Sequence, residues 1–329
     1  MELVDKIIKG ERAAIAKAIT LVESSKDTDQ QISRQLISEL IKKPGKSIRV
    51  GFSGPPGVGK STFIESFGSY LVSQNYKLGI LAIDPSSQIT GGSILGDKTR
   101  MVEISKNPNT FIRSTPSRGT LGGISMGTRE ASIILDAAGY DFIFIETVGV
   151  GQSEIVASNL VDIFTLIVGP GSGDELQGIK KGITEYADIF IVNKNDGELK
   201  MEASKTAADY KSALSYYKKL DELEKQVLLV SAIEQTGMED VIKTINQIID
   251  QNKLKGIFDE RRADQLEYWI EEEVKNIIAS DITKRLTSKG NIPKYSKKVM
   301  KNEMSMYEAV ETITKAVSYT HLTLPTTLQ

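Results

Sequence analysis

The sequence predicts an α/β fold, a mostly parallel sheet flanked by helices, with helical extensions at both ends. Three observations predict it. Short apolar runs, Ile48 to Phe52, Leu78 to Ile83, Phe142 to Ile145, Ile163 to Val168, Ile189 to Val192 and Val227 to Val230, alternate with stretches of helical period. The runs are continuously apolar, so each expected strand is buried on both faces, as in a parallel sheet covered by helices. A glycine-rich segment, Gly54-Pro55-Pro56-Gly57-Val58-Gly59-Lys60-Ser61, joins the first run to the helical stretch Thr62 to Val72.

In chain order, residues 1–46 read as a helical N-terminal extension. Leu3, Val4, Ile7 and Ile8, then Ile15, Ile19 and Val22, give one apolar stripe per helix. Residues 47–252 carry the strands. Beyond 252 the β signal stops, and Leu266, Ile270, Ile277, Ile278 and Ile282 fall at helical spacings in a heavily charged segment. We read 253–316 as a helical C-terminal arm. Such a stripe is more often intramolecular core than interface, but little chain remains for it to pack on, which favours a partner subunit. A last helix is announced by Ser305-Met306-Tyr307-Glu308, a capping-box pattern, followed by Ala309, Val310 and Ile313. Residues 317–329 switch to a Thr, Leu and Pro mixture holding the single histidine, His321, and read as a non-native tail.

Composition narrows the chemistry. The 329 residues are 40% hydrophobic, enough for a sizeable core, and 41 basic residues stand against 43 acidic ones. That balance points to neither nucleic acid nor an anionic membrane as a main partner. With no cysteine there are no disulfides, thiolate metal sites or cysteine nucleophile. The start, Met1-Glu2-Leu3-Val4-Asp5, is acidic and helical in pattern, and no apolar run approaches the roughly 18 residues that span a bilayer. The expectation is a cytoplasmic protein, with no histidine for catalysis outside the tail.

The glycine-rich segment matches G-x-x-x-x-G-K-[ST], the P-loop, between a strand and a helix as that motif requires. Gly54, Pro56, Gly57, Val58, Gly59, Lys60, Ser61 and Thr62 are its nucleotide-binding candidates. Glycines let backbone N–H groups turn around phosphate oxygens, and the helix N-terminus adds partial positive charge. Lys60 is expected to reach the β- and γ-phosphates and the Ser61 hydroxyl to ligate Mg²⁺. Asn193-Lys194-Asn195-Asp196, after the run Ile189 to Val192, reads as N-K-x-D at the mouth of a parallel strand. Asp196 can accept hydrogen bonds from guanine's ring N–H and exocyclic amine, whereas adenine presents an acceptor where guanine presents a donor. GTP rather than ATP is therefore expected. Ser231-Ala232, after Val230, stands where such proteins support the base through a backbone amide.

Glu146-Thr147-Val148-Gly149 ends another apolar run and resembles D-x-x-G with glutamate replacing aspartate. The Glu146 carboxylate would act near Mg²⁺ through water, and the Gly149 amide would sense the γ-phosphate. Asp84, at the end of Leu78 to Ile83, and Asp97 are further candidates for the metal or the attacking water; a helix-cap or turn role is the alternative for each. Where Ras-type enzymes place a water-orienting glutamine, Val150 stands here and Gln152 lies two further on, so intrinsic hydrolysis is expected to be slow. Gly169 to Gly178 is too rich in glycine and charge to be core and reads as a signalling loop, with a plain connection as the alternative.

With these pieces in place, the chain resembles the MeaB/ArgK family of GTPases, the G-protein chaperones of adenosylcobalamin-dependent methylmalonyl-CoA mutase. The resemblance covers roughly residues 1 to 316. It is most specific in Asp84-Pro85-Ser86-Ser87, Thr90 to Met101, Glu146 to Glu154, and Gly173 to Gly182. It implies a homodimer formed largely through the C-terminal arm and a G domain of the class that includes signal-recognition-particle and metallochaperone GTPases. It further implies that Lys60, Ser61, Asp97 and Glu146 serve phosphate and Mg²⁺, with Asp84 assisting. The loop from Gly171 to Gly182 would relay nucleotide state to an acyl-CoA mutase whose cofactor loading the protein gates. Asn195 departs from the small residue usual in the family.

Two other readings compete. A kinase or ATPase serving lysine, arginine and ornithine transport is disfavoured by the guanine-selective acid and by the absence of a protein-kinase catalytic-loop signature. A metal-insertion GTPase would ordinarily carry a histidine or cysteine cluster, which this sequence lacks.

Overall fold

The computed structural model describes residues 2–24, 26–84, 101–116, 126–147, 153–172, 186–215, 225–288 and 291–318. The chain divides into two compact units, Met1–Ala263 and Asp264–Gln329.

The first unit is built on a seven-stranded sheet, β1 Ile48–Ser53, β2 Leu78–Asp84, β3 Thr110–Pro116, β4 Phe142–Glu146, β5 Ile163–Val168, β6 Ile189–Val192 and β7 Gln226–Leu229, in the order β3-β2-β4-β1-β5-β6-β7. Every adjacent pair is parallel. All strand C-termini therefore lie along one edge. β1 sits where the chain first departs towards β2 and β3 and later towards β5, β6 and β7, the kind of switch point at which open parallel sheets bind ligands.

Alternation along the strands sorts the side chains onto two faces. Val50 and Phe52, Phe142 and Phe144, Ile163 and Ile167, and Ile189 and Ile191 share one core. Covering them are Phe63, Phe67 and Leu71 of the helix Lys60–Ser73 and Val241, Ile245 and Ile249 of the helix Met238–Leu254. Phe67 stacks on Phe144 with ring centroids 5.5 Å apart. On the opposite face, Phe190 of β6 meets Tyr210 of the helix Lys200–Ser215, with ring centroids 5.6 Å apart.

β3 was not expected from the sequence. Among the described residues it is an edge strand, paired only with β2, and its run Thr-Phe-Ile-Arg-Ser-Thr-Pro is too polar for the continuous apolar signature that marks the inner strands. Its polar residues have work at the sheet margin: Arg113 bonds Glu23, just past the helix Arg12–Val22. The helices Glu2–Ile8, Arg12–Val22 and Asp27–Ile41 belong to the same compact unit as the sheet, and the last two pack on the helix Met126–Ala137. Val4, Ile7, Ile15, Ile19 and Val22 are buried, whereas Ile8 stays exposed.

In the second unit, the helix Ile257–Ser288, which begins in the first, is followed by the helices Asn291–Met300 and Met306–Ser318. The capping box forms as the sequence announced. Ser305 N donates to Glu308 Oε2 at 2.7 Å, and Glu308 N donates to Ser305 Oγ at 3.1 Å. The last helix runs two residues into the segment read as a tail; residues 319–329 lie outside the described residues. No described helix is long and apolar enough to cross a membrane.

Candidate nucleotide site

The C-terminal edge of the sheet gathers the sequence motifs. β1 ends at Ser53 and the chain enters the loop 54–59, after which Lys60 opens its helix. Two glycines are required by geometry. A Cβ on Gly54 would lie 2.1 Å from the Ile167 carbonyl oxygen, so only glycine lets the loop leave β1 so close to β5. Gly59, at φ +88° in the left-handed region, would bring a Cβ within 2.8 Å of Asn193 Nδ2. Lys60 Nζ crosses the loop, donating to the carbonyl oxygens of Gly54 at 2.7 Å and Pro55 at 3.0 Å. Pro56 and Gly57 are exposed, Val58 is buried, and Thr62 is exposed in the first helical turn.

Glu146 is the last residue of β4 and keeps the parity of Phe142 and Phe144, so it faces the side that carries the Lys60–Ser73 helix. There it accepts a hydrogen bond from Ser61 Oγ at 2.8 Å. The carboxylate is buried, and the strand register sets it between Phe52 of β1 and Ala82 of β2. A hydroxyl and a carboxylate are hard oxygen donors, the set that suits Mg²⁺. Among the described residues no group of three or more His, Cys, Asp or Glu could hold a metal. Asp84 ends β2 on the same edge. Asp97, Gly149, Val150 and Gln152 lie outside the described residues, as does most of the loop from Gly171 to Gly182, with Lys180 and Lys181.

The second motif locks onto the first. Asn193 follows β6 with the parity of Ile189 and Ile191, which turns its buried amide towards the P-loop. Its Nδ2 donates to the Val58 carbonyl at 2.9 Å, and its Oδ1 accepts from Ala232 N at 3.1 Å. Lys194 holds a left-handed backbone, φ 62°, uncommon for a residue with a Cβ, and its Nζ donates to the Gly57 carbonyl at 2.8 Å. Asp196 Oδ2 accepts a short hydrogen bond from Ser231 Oγ. Asn195 donates its backbone N–H to Val230 O at 3.0 Å, while its side-chain Oδ1 is buried with no hydrogen-bond partner among the described residues.

The structure thus brings Gly54, Gly57, Val58, Gly59, Lys60, Ser61, Glu146, Asn193, Lys194, Asp196, Ser231 and Ala232 to one edge. Two residues there escaped sequence reasoning. Ser66, on the Lys60–Ser73 helix, donates its buried hydroxyl to the Ala232 carbonyl. Its signal was a polar residue three positions after Phe63, on the apolar face of that helix. Ile233 stands 77% exposed beside Ala232, and its apolar character gave no signal at all.

Comparison with known proteins gives the family. The family model for the methylmalonyl-CoA mutase-associated GTPase MeaB matches residues 15–289. A mitochondrial methylmalonic aciduria type A homolog of Mus musculus is 39% identical over 326 residues, 96% of this chain and 79% of that protein. A probable GTPase of Mycobacterium bovis is 41% identical over 312 residues, 94% of this chain and 93% of its own. A solved structure described as a LAO/AO transport system kinase superposes with a TM-score of 0.71 at 29% identity, over 96% of this chain and 97% of that one. With a P-loop and a guanine-type motif interlocked at one edge of a parallel sheet, and with these relatives, the chain belongs to the MeaB family of methylmalonyl-CoA mutase-associated GTPases.

Proposed function

We propose that this protein is a slow GTPase switch that binds GTP with Mg²⁺, gates cofactor loading into an adenosylcobalamin-dependent acyl-CoA mutase and protects that enzyme. The observation that carries the reading is the contact of Ser61 Oγ with Glu146 Oε1 at 2.8 Å, beside a P-loop whose Val58 and Gly57 carbonyls are held by Asn193 and Lys194 of the segment that carries Asp196. The loop amides and the Lys60 ammonium would hold phosphate charge, and Asp196 would select guanine by its two donors. Ser61 would ligate Mg²⁺ directly and Glu146 through water, with Asp84 and Asp97 as further acids. The bound ion would neutralise charge on the phosphate oxygens. The mutase partner is carried over from the family and from the methylmalonic aciduria type A homolog.

A homodimer fits the arm. Leu266, Ile270, Val274, Ile277 and Ile278 recur at helical spacing, and each is about half exposed in the single chain. A cytoplasmic setting and the relay role of the loop from Gly171 to Gly182 belong to the same reading.

The transport-kinase description of the similar structure favours a second reading, in which ATP is the substrate. Titration calorimetry with GTP, GDP and ATP decides between them. Micromolar or tighter binding of GTP and GDP with far weaker ATP is expected; equal affinities would refute the guanine reading. Capture of an acyl-CoA mutase by the GTP-loaded protein, identified by mass spectrometry, tests the partner.

A further inference from the structure

We infer that Lys294, Lys297, Lys298 and Lys301 form an electrostatic docking surface for a protein partner that presents a row of carboxylates. The inference is independent of the nucleotide reading above.

The sequence already sets this stretch apart. Between Asp281 and Glu303 it holds seven basic residues and no acidic one, although the whole chain balances 41 basic residues against 43 acidic ones. Four of the seven, at 294, 297, 298 and 301, recur at i, i+3, i+4 and i+7, the spacing that gathers side chains on one face of a helix. The helix forms there as Asn291–Met300, and Lys301 continues its last turn, donating its N–H to Lys297 O at 3.2 Å. All four lysines are exposed. Tyr295 and Val299, on the other side, are partly buried, and the helix packs on the helix Met306–Ser318.

Such a stripe works against its own helix, since like charges three and four residues apart repel. On other helices of this chain a lysine meets a glutamate at that spacing, Lys6 with Glu2 at 2.7 Å, Lys243 with Glu239 at 2.7 Å and Lys315 with Glu311 at 2.6 Å. No acid stands within four residues of Lys294, Lys297 or Lys298, and Glu303 is two from Lys301, a spacing that faces elsewhere. None of the four forms an ion pair among the described residues. The helix dipole favours Lys297 and Lys298 in the last turn, but it does nothing for Lys294 in the first half. An acidic surface laid along the stripe would relieve the repulsion.

The side chains select the kind of anion. The stripe has no arginine, whose planar fork suits phosphate, and the one aromatic of the helix, Tyr295, lies on the opposite side, where it cannot stack a base beside the lysines. A helix lying in a bilayer needs a free apolar face. Here Tyr295 and Val299 are partly buried, and the exposed Ile292 and Met300 stand at opposite ends of the helix. Four point charges fixed along about 10 Å of helix match carboxylates at the same spacing on a partner's helix, an arrangement that steers association and sets its register.

The test measures, by fluorescence anisotropy in low salt, binding of the full chain to a labelled, end-blocked alanine-rich peptide with glutamates at i, i+3, i+4 and i+7. Replacing all four lysines (Lys294→Gln, Lys297→Gln, Lys298→Gln, Lys301→Gln) is expected to weaken binding by about 10-fold or more, the sum of four exposed ion pairs. The same replacement at Lys9, Lys17, Lys26 and Lys43 should weaken it by less than about 2-fold, and a peptide with the glutamates scrambled should bind about 3-fold more weakly. Equal binding by the stripe variant, or of the scrambled peptide, would overturn the inference. So would loss of a dimer in light scattering of the stripe variant, which would give the surface to a second copy. Tighter binding of phosphatidylserine vesicles or oligothymidylate than of the peptide, abolished in that variant, would give it to lipid or nucleic acid instead. Should the fourfold variant not fold, Lys297→Gln with Lys298→Gln is read in the same way, with a loss of about 3-fold.

Discussion

Replacing Asp162 by asparagine should destabilise the sheet-bearing unit strongly at neutral pH and progressively less in acid. Asp162 precedes β5 at the sheet edge opposite the nucleotide site, and its side chain is fully buried. It accepts from Arg49 N at 2.8 Å and Arg49 Nη2 at 2.7 Å, and from Nε and Nη2 of Arg262, both at 2.9 Å. Burial alone would push its pKa up; the Arg49 charge and the hydrogen bonds from Arg262 and Arg49 outweigh that and hold it at about 2, against 3.8 unperturbed. The sign follows from linkage. A depressed carboxylate pKa adds stability that is complete above the unfolded value and is lost as pH falls through the folded one. For this shift the contribution is about 2 kcal/mol at pH 6 and about 1 kcal/mol at pH 3. Removing one member of a buried pair costs about 3–5 kcal/mol, because Arg49 and Arg262 lose their counter-charge. Urea unfolding followed by circular dichroism should show that deficit at pH 6, narrowing by about 1 kcal/mol at pH 3. A deficit independent of pH, or one below about 1 kcal/mol, would refute the reasoning.

Other expectations concern the site and the assembly. Glu146→Gln keeps a partner for Ser61 but removes the charge; Mg²⁺-dependent GTP hydrolysis should fall by about 100-fold, measured by phosphate release, with GDP binding little changed. Asp196→Asn should cut GTP affinity by about 100-fold and favour xanthosine triphosphate, and calorimetry that finds no change of preference would remove Asp196 from the base site. Light scattering should find a dimer at micromolar concentration and a monomer for the double variant Ile270→Glu, Ile277→Glu, which puts charges into the exposed stripe; a monomeric unaltered protein would end the dimer proposal. Slow hydrolysis should quicken when the cognate mutase binds. Substituting Lys180 and Lys181 with alanine should blunt that stimulation and spare GTP affinity; the reverse pattern would place those lysines in the nucleotide pocket.

The parts of this protein that are local in sequence were legible there. The P-loop, N-K-N-D and Glu146 each sit at the end of an apolar run, and a parallel sheet must bring such ends to one edge, so the site followed once the strands were recognised. The reciprocal Ser305 and Glu308 cap was equally readable, because its partners lie three residues apart. β3 was not, since an edge strand half open to solvent keeps polar residues and loses the apolar signature.

Composition and short-range pattern determined the α/β class and marked the P-loop and the N-K-N-D tetrapeptide, because backbone turn chemistry and strand burial act within a few residues. Only the tertiary structure decided that Asn193 bonds Val58 across the site, that Ser66 holds Ala232, and that Arg262 and Arg49 converge on Asp162. Those partners are far apart along the chain, and a hydrogen bond or ion pair between them exists only after packing has removed water and fixed both side chains, which no local pattern can encode.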